Sequence, residues 1–374
     1  MSAVNTLIKW PGGKSREIKN VEALIPHFNR YIEPFFGGGA MFFYLRPEKA
    51  LINDISSNLM DYYTLVKKQD EVFHGYLCAY DGLMSSMINS CGKNYQEIYN
   101  AYSSIKDGIK PELSRKMVDF AAGLVINELS SDCLNKIVLD QESFEKQVIY
   151  NIAEKIKRTI KNEKTALYSE DDLKENLISG FMSGIYMYFR DVYNDIMLKR
   201  KSTPGNEYNI ANFYYIREYC YGSMFRYNAN GEFNIPYGGM SYNRKSFRSK
   251  IDGIFSAETK KAFKGAEISC MDFEEFFSSV ELSNDDFIFL DPPYDTDFSD
   301  YEGNKFTKND QKRLADLLKT IKAKFILIIK NTDYIYSLYK DNFNILCYDK
   351  EYTYNVRSRN DRKAEHLIIT NYSV

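Results

Sequence analysis

The sequence predicts an α/β protein: a twisted, mostly parallel sheet with helices on both faces, joined to a helical and loop-rich region. Three observations carry this. Short apolar runs alternate with helical patterns near both ends of the chain, the arrangement of strands linked by helical crossovers. One of these runs leads into a glycine cluster at Gly37, Gly38 and Gly39. Another, FIFL from Phe287 to Leu290, stops at a turn stiffened by two prolines.

In order along the chain, Tyr31-Ile32 is a first strand and ALINDI (Ala50 to Ile55), carrying Asp54, a second. Strand, glycine loop, helix and strand is the order of a nucleotide-binding unit. Residues 67–200 read as helices. Val148, Ile152, Ile156 and Ile160 recur every four residues, and Leu177, Phe181, Ile185 and Phe189 repeat the stripe, so these helices pack on a core. Pro204-Gly205 breaks the pattern. FRYNANGEFNIPYGGMSYNRKSF (Phe225 to Phe247) mixes aromatics, asparagines and cations, and Asn230-Gly231 marks a tight turn inside it. The α/β pattern then returns. Thr307 and Asp310 cap a helix whose buried face is Leu314, Leu317, Leu318 and Ile321. FILIIK (Phe325 to Lys330) is an interior strand, and NILCY (344–348) and HLIIT (366–370) form a terminal pair. The chain thus divides into an α/β part, residues 1–66 and 265–374, and an inserted part, residues 67–264.

Composition narrows the function classes. No apolar run approaches the ~20 residues that span a bilayer, and the opening MSAVNTLIKWPGGK lacks a signal-peptide core. A cytoplasmic protein without a membrane partner is expected. Six cysteines are scattered singly and only three histidines exist, so neither a metal site nor a disulfide framework is expected. The net charge of −2 argues against uniform electrostatic binding to nucleic acid. The distribution points the other way. Residues 190–250 hold ten Lys/Arg against five Asp/Glu, and residues 350–363 five against two, both amid Tyr and Phe. Local basic surfaces of this kind bind phosphates.

Asp291-Pro292-Pro293-Tyr294 is the most informative run. It follows a buried strand, where α/β sheets bind ligands. An exocyclic aryl amine is a weak nucleophile because its lone pair is delocalised into the ring. Two acceptors on its N–H groups return density to nitrogen, and the Asp291 carboxylate and the Pro292 carbonyl supply them. Pro292 and Pro293 remove competing backbone donors. Tyr294 offers a face on which a base can stack. The plainer reading, a rigid turn with Tyr294 as packing, loses ground once the glycine loop is counted. Three glycines there let a ligand approach the backbone. Phe42 stands where the dinucleotide fingerprint has its third glycine. Asp54 suits a ribose diol, or else it caps the helix SSNLMDYY. Gly12-Gly13-Lys14-Ser15 looks like the end of a P-loop, but Ile8 stands where that motif needs glycine.

With these pieces placed, the sequence resembles the Dam-type (D12 class) family of DNA adenine-N6 methyltransferases over roughly residues 7–66 and 206–372. KWPGGK resembles the family's opening motif, IEPFFGGGAMFF its cofactor loop and INDISSNL its ribose-binding segment. FRYNANGEFNIPYG is similar to the target-reading region, DPPY to the catalytic motif, and FTKNDQKRLADL to the helix after it. The resemblance implies a Rossmann-like methyltransferase sheet with S-adenosyl-L-methionine as cofactor. Trp10, Lys14, Asp54 and Asp291 match its ligands, as does the cofactor-loop set Glu33, Pro34, Phe35, Gly37 and Gly39. Asp272 and Phe273 match the segment that meets the cofactor adenine. Lys9 and Arg226 match positions that contact DNA, and Tyr221, Asn228, Arg244 and Lys245 join them in the target-reading stretch. Residues ~110–200 have no counterpart in short members, and Gly222 and Met224 depart from some members near the target.

The implied reaction is direct methyl transfer to N6 of an adenine flipped out of double-stranded DNA, by a monomer whose partner, where one exists, is a cognate restriction enzyme. Methylation of cytosine N4 or of RNA adenine uses the same motif and stays open. A catalytically silent DNA-binding module is disfavoured by the intact DPPY.

Overall fold

The computed structural model describes residues 6–13, 17–224, 226–294, 300–301, 304–351 and 363–373. The chain forms two compact units, one from Met1–Lys68 and Ala257–Val374, the other from Gln69–Ser256.

The strands of the first unit are β1 (Arg30–Glu33), β2 (Ala50–Asn53), β3 (Ala266–Ser269), β4 (Asp286–Leu290), β5 (Asp300–Tyr301), β6 (Asn304–Lys305), β7 (Lys324–Lys330), β8 (Asn344–Glu351) and β9 (Lys363–Thr370). Seven make one sheet in the order β3-β2-β1-β4-β7-β9-β8, while β5 and β6 pair separately. From β3 to β7 all pairings are parallel. β9 runs antiparallel to β7, and β8 closes the edge antiparallel to β9. The central strands are buried from end to end: every residue of β4, and Phe325 to Ile329 of β7. A strand covered on both faces needs such an unbroken apolar run. Ile288 and Leu290 of β4 and Leu327 and Ile329 of β7 share a core with Phe273, Phe276 and Phe277, and with Leu314 and Leu318 of the Lys308–Leu318 helix. That helix carries the expected Thr307–Asp310 capping box. Its buried stripe is Gln311, Leu314, Ala315 and Leu318. Leu317 and Ile321 stay half-buried, a correction to the predicted face.

This is a mixed α/β fold with helices flanking a seven-stranded sheet, the Rossmann-like methyltransferase architecture. Strand order reverses between β1 and β4, because β2 and β3 lie on one side and β7 on the other. Ligands of open α/β sheets bind beyond the carboxyl ends of the strands at this reversal.

In the second unit Val148, Ile152 and Ile156 are buried, with Thr159 in place of the expected Ile160 at the end of the stripe. Leu177, Phe181, Ile185 and Phe189 are fully buried. The helices Gln141–Glu163 and Glu170–Met197 approach so closely that a Cβ at Gly184 would lie 2.6 Å from the Val148 Cα. About the expected Asn230-Gly231 turn the backbone pairs as a short hairpin, held by the isolated bridges Tyr227↔Phe233 and Cys220↔Tyr237. Among the described residues no helix is long and apolar enough to cross a membrane.

Candidate active site

A cleft of about 320 Å³ opens at the carboxyl ends of β1, β2, β3 and β4. Its size falls in the usual range for small-molecule sites, roughly 300–1,000 Å³. Four loops line it: Glu33 to Met41, Asp54 to Ser56, Met271 to Phe273, and Asp291 to Tyr294, with Trp10 to Gly13, Phe289, Phe306 and Asp310 completing the wall. Residues from six stretches that the sequence analysis set apart, KWPGGK, the glycine loop, INDISSNL, Asp272-Phe273, DPPY and FTKNDQKRLADL, thus line one cleft.

The glycine loop owes its shape to two left-handed residues, Gly37 (φ 49°) and Gly39 (φ 66°). A Cβ on Gly37 would also lie 2.9 Å from Trp10 Cδ1, and one on Gly39 would lie 2.6 Å from Phe36 Cζ. Both peptide groups of Gly37 are held. Its N–H donates to Asp54 Oδ2 at 2.8 Å, and its carbonyl accepts the Tyr63 hydroxyl at 3.1 Å. The other Asp54 oxygen accepts Ser56 N–H at 3.1 Å. The helix Ser57–Lys68 is capped by Ser56, whose Oγ accepts Leu59 N–H at 3.3 Å, so the alternative of Asp54 as its N-cap does not hold.

Asn53 joins the loops and was missed from sequence. Its Nδ2 donates to the carbonyls of Pro34 (3.2 Å) and Met271 (3.0 Å). Its Oδ1 accepts Met271 N–H (3.1 Å) and Ser269 Oγ–H (3.0 Å). Phe35, Phe273 and Phe306 form an aromatic slot with centroids 5.5 to 5.8 Å apart. Asp272 caps the Phe273–Ser279 helix, accepting Glu274 N–H at 3.0 Å, and also accepts from Arg313 at 2.8 Å.

In the DPPY turn Pro292 is buried, while Asp291, Pro293 and Tyr294 are half-buried. The Tyr294 ring lies edge-on to buried His366 at 5.3 Å. Beneath the turn, Glu33 is 2% exposed and accepts the Tyr31 hydroxyl at 2.8 Å. Burial pushes the Glu33 carboxyl well above the usual carboxylate range, and the charges of Asp291 and Asp54 add to this, against the Tyr31 hydrogen bond. A carboxyl whose folded-state pKa is raised holds its proton after the unfolded chain has lost it. Its contribution to stability therefore declines as pH rises above the unfolded value of ~4.3. Glu33→Gln, which cannot ionise, is expected to flatten the fall in stability between about pH 4 and pH 7. Urea unfolding across that range checks it, and an unchanged slope contradicts a neutral Glu33.

Lys14 lies outside the described residues, as do Phe225 and residues 352–362 of the second basic stretch. Lys9 is half-buried at the start of the first unit. In the second unit Tyr221 and Arg226 are exposed, and Arg244 is exposed with Glu175 at 3.5 Å. Asn228 builds the hairpin turn: its Oδ1 accepts the N–H groups of Asn230 (2.9 Å) and Glu232 (3.0 Å). Lys245 donates to the Glu218 carbonyl at 2.8 Å and lies 3.2 Å over the Tyr242 ring. Composition alone gave no sign of these internal partners.

The chain is similar to known proteins along most of its length. The family model for the D12 class N6 adenine-specific DNA methyltransferases matches residues 10–108 and 103–354. The type II methyltransferase M.CviBI of Paramecium bursaria Chlorella virus NC1A is 33% identical over 203 residues, covering 52% of this chain and 75% of that protein. The type II methyltransferase M1.LlaDCHI of Lactococcus lactis subsp. cremoris is 24% identical over 97% of this chain and 94% of its own length. A DNA adenine methylase of Vibrio cholerae is 22% identical over 89% and 83%. With the family model spanning the glycine loop, the hairpin and the DPPY turn alike, the chain belongs to the D12 class of N6 adenine-specific DNA methyltransferases.

Proposed function

We propose that this chain transfers a methyl group from S-adenosyl-L-methionine to N6 of a specific adenine in double-stranded DNA, after the base has rotated out of the duplex. The observation that supports this most is that the DPPY turn and the glycine loop open onto one cleft. The donor set suits the cofactor. The Phe35, Phe273 and Phe306 rings offer an aromatic face to a purine, and Asp54 beside the glycine cradle suits a ribose diol. The acidic lining at Asp54 and Asp291 fits a ligand carrying sulfonium and ammonium charges. Bound there, the cofactor supplies an electrophilic methyl group.

The chain's own residues do the rest. Asp291 and the Pro292 carbonyl accept the two N6 hydrogens and orient the nitrogen for direct in-line attack. Tyr294 stacks on the extruded base, offsetting part of the few kcal/mol spent on unstacking. The N6 proton displaced by the new bond leaves to solvent. Removing the Asp54 carboxylate is expected to weaken cofactor binding by ~1.5–3 kcal/mol. Calorimetry on Asp54→Ala reads this directly, and unchanged affinity removes Asp54 from the site.

Target reading falls to the second unit, where the exposed Arg226 stands on the hairpin. An arginine meets guanine O6 and N7 with two parallel hydrogen bonds. Arg226→Ala is expected to lose ~1–3 kcal/mol at one base position and relax preference there. Methylation rates on duplexes varied base by base measure it; a uniform loss instead assigns Arg226 to a phosphate. The type II names of two relatives make a cognate restriction enzyme the candidate partner. Resistance of DNA from expressing cells to such an enzyme tests that.

A further inference from the structure

One turn of the Lys308–Leu318 helix reaches both ends of the cleft. Gln311 is fully buried, and its Nε2 donates to the Pro293 carbonyl at 2.9 Å. Neither Pro292 nor Pro293 has a backbone N–H, so the DPPY turn lacks two of the donors that ordinarily pin a loop. A donor brought to one of its carbonyls is one way to fix it. The Pro293 carbonyl belongs to the peptide plane that joins Pro293 to Tyr294. Holding that plane constrains the Pro292 carbonyl on one side and the Tyr294 ring on the other. Among the described residues no donor reaches Gln311 Oε1. A buried amide left half-satisfied carries a desolvation cost.

Arg313, on the same turn, faces the other end. Its Nη2 donates to Asp272 Oδ1 (2.8 Å) and Glu274 Oε2 (2.6 Å), its Nε to Glu274 Oε2 (2.9 Å) and its Nη1 to Asp310 Oδ1 (2.9 Å). Its Cζ lies 4.8 Å from the Phe273 ring centroid. The guanidinium fork thus ties the cap of the Phe273–Ser279 helix to the Lys308–Leu318 helix and lies on the ring that walls the aromatic slot. A lysine, a point charge, could not hold three carboxylates in this fork geometry.

We propose that Gln311 and Arg313 are positioning residues with separable duties: Gln311 sets the catalytic turn against the target base, and Arg313 sets the slot for the cofactor's purine. This rests on the function proposed above. Neither side chain touches a reacting atom. A role in stability alone would lower the unfolding temperature and leave kcat and the cofactor Kd unsplit.

The test is a pair of variants read by two methods. Gln311→Met keeps the length and removes the donor. It is expected to lower kcat at saturating cofactor and DNA about tenfold, with cofactor Kd from calorimetry within about twofold. Arg313→Met keeps the stem and removes the fork. It is expected to raise cofactor Kd about tenfold, with kcat at saturation within about twofold. Arg313→Lys should fall between. Should Gln311→Met fail to fold, Gln311→Asn, which withdraws the amide by one methylene, carries the same expectation, and loss of folding in both overturns the duty assigned to Gln311. Both variants shifting the same parameter, or neither shifting any, overturns the proposal. Wild-type protein that neither binds S-adenosylmethionine nor methylates DNA overturns the proposed function instead, and that is read first.

Discussion

Asp291→Ala is expected to lower methyl transfer by at least about a hundredfold, while DNA affinity stays within about tenfold, ~1.4 kcal/mol. The size follows from what the carboxylate does. It is one of two acceptors proposed for N6, in a half-buried position on the cleft wall, where water is a poor substitute for an oriented acceptor. It lies in the first unit and is not among the groups assigned to target reading, so binding to DNA is spared. Asp291→Asn, which keeps one acceptor oxygen and the shape, is expected to lie between alanine and wild type. The assay is incorporation of labelled methyl groups into duplex DNA, with affinity measured in parallel. Near-normal turnover by the alanine variant removes Asp291 from the chemistry.

Gly265→Ala is expected to destabilise the first unit by about 3 kcal/mol, the upper end for small-to-large substitutions. A Cβ at Gly265 would lie 1.8 Å from the Glu48 carbonyl oxygen and 2.9 Å from its carbon. These are backbone atoms and cannot rotate aside. Gly265 also accepts Ala50 N–H at 3.0 Å, the bond that sets β3 against β2. The two strands must part to admit a methyl group, and the loops after them line the cleft. Trp10 is the one tryptophan of the chain and sits against Gly37 in this unit, so its fluorescence follows the unfolding of interest. An unchanged urea midpoint contradicts the close approach.

These two residues differ in how far the sequence announces them. Asp291 was legible because a buried apolar run stops at it and two prolines follow, a pattern set within eight residues. The glycine loop was legible for the same reason, as were β4 and β7, whose unbroken apolar runs suit strands covered on both faces. Gly265 was not. Its constraint comes from Glu48, more than two hundred residues away in sequence, and the strand it precedes, Ala-Glu-Ile-Ser, is four residues long with a weak pattern. Asn53, Tyr63, Gln311 and Arg313 escaped notice likewise. Each acts through hydrogen bonds across the fold, as from Asn53 to Met271, which no local periodicity records. Phe306 stands next to the capped helix but shows its role only once Phe35 and Phe273 meet it. The target-reading stretch suggested Asn228 and Lys245 for DNA; the structure gives both internal hydrogen bonds, to the hairpin turn and to the Glu218 carbonyl.

The central claim is the identity of the methylated atom. The most direct measurement incubates wild-type protein with duplex DNA of mixed sequence and S-adenosylmethionine carrying a labelled methyl group, then digests the DNA to nucleosides for mass spectrometry. A parallel arm supplies RNA of matching sequence. The expected result is label in N6-methyladenine from DNA, confined to one sequence context, with none in cytosine and none in RNA. Label in N4-methylcytosine, label in RNA alone, or no transfer to DNA while the cofactor binds would contradict it.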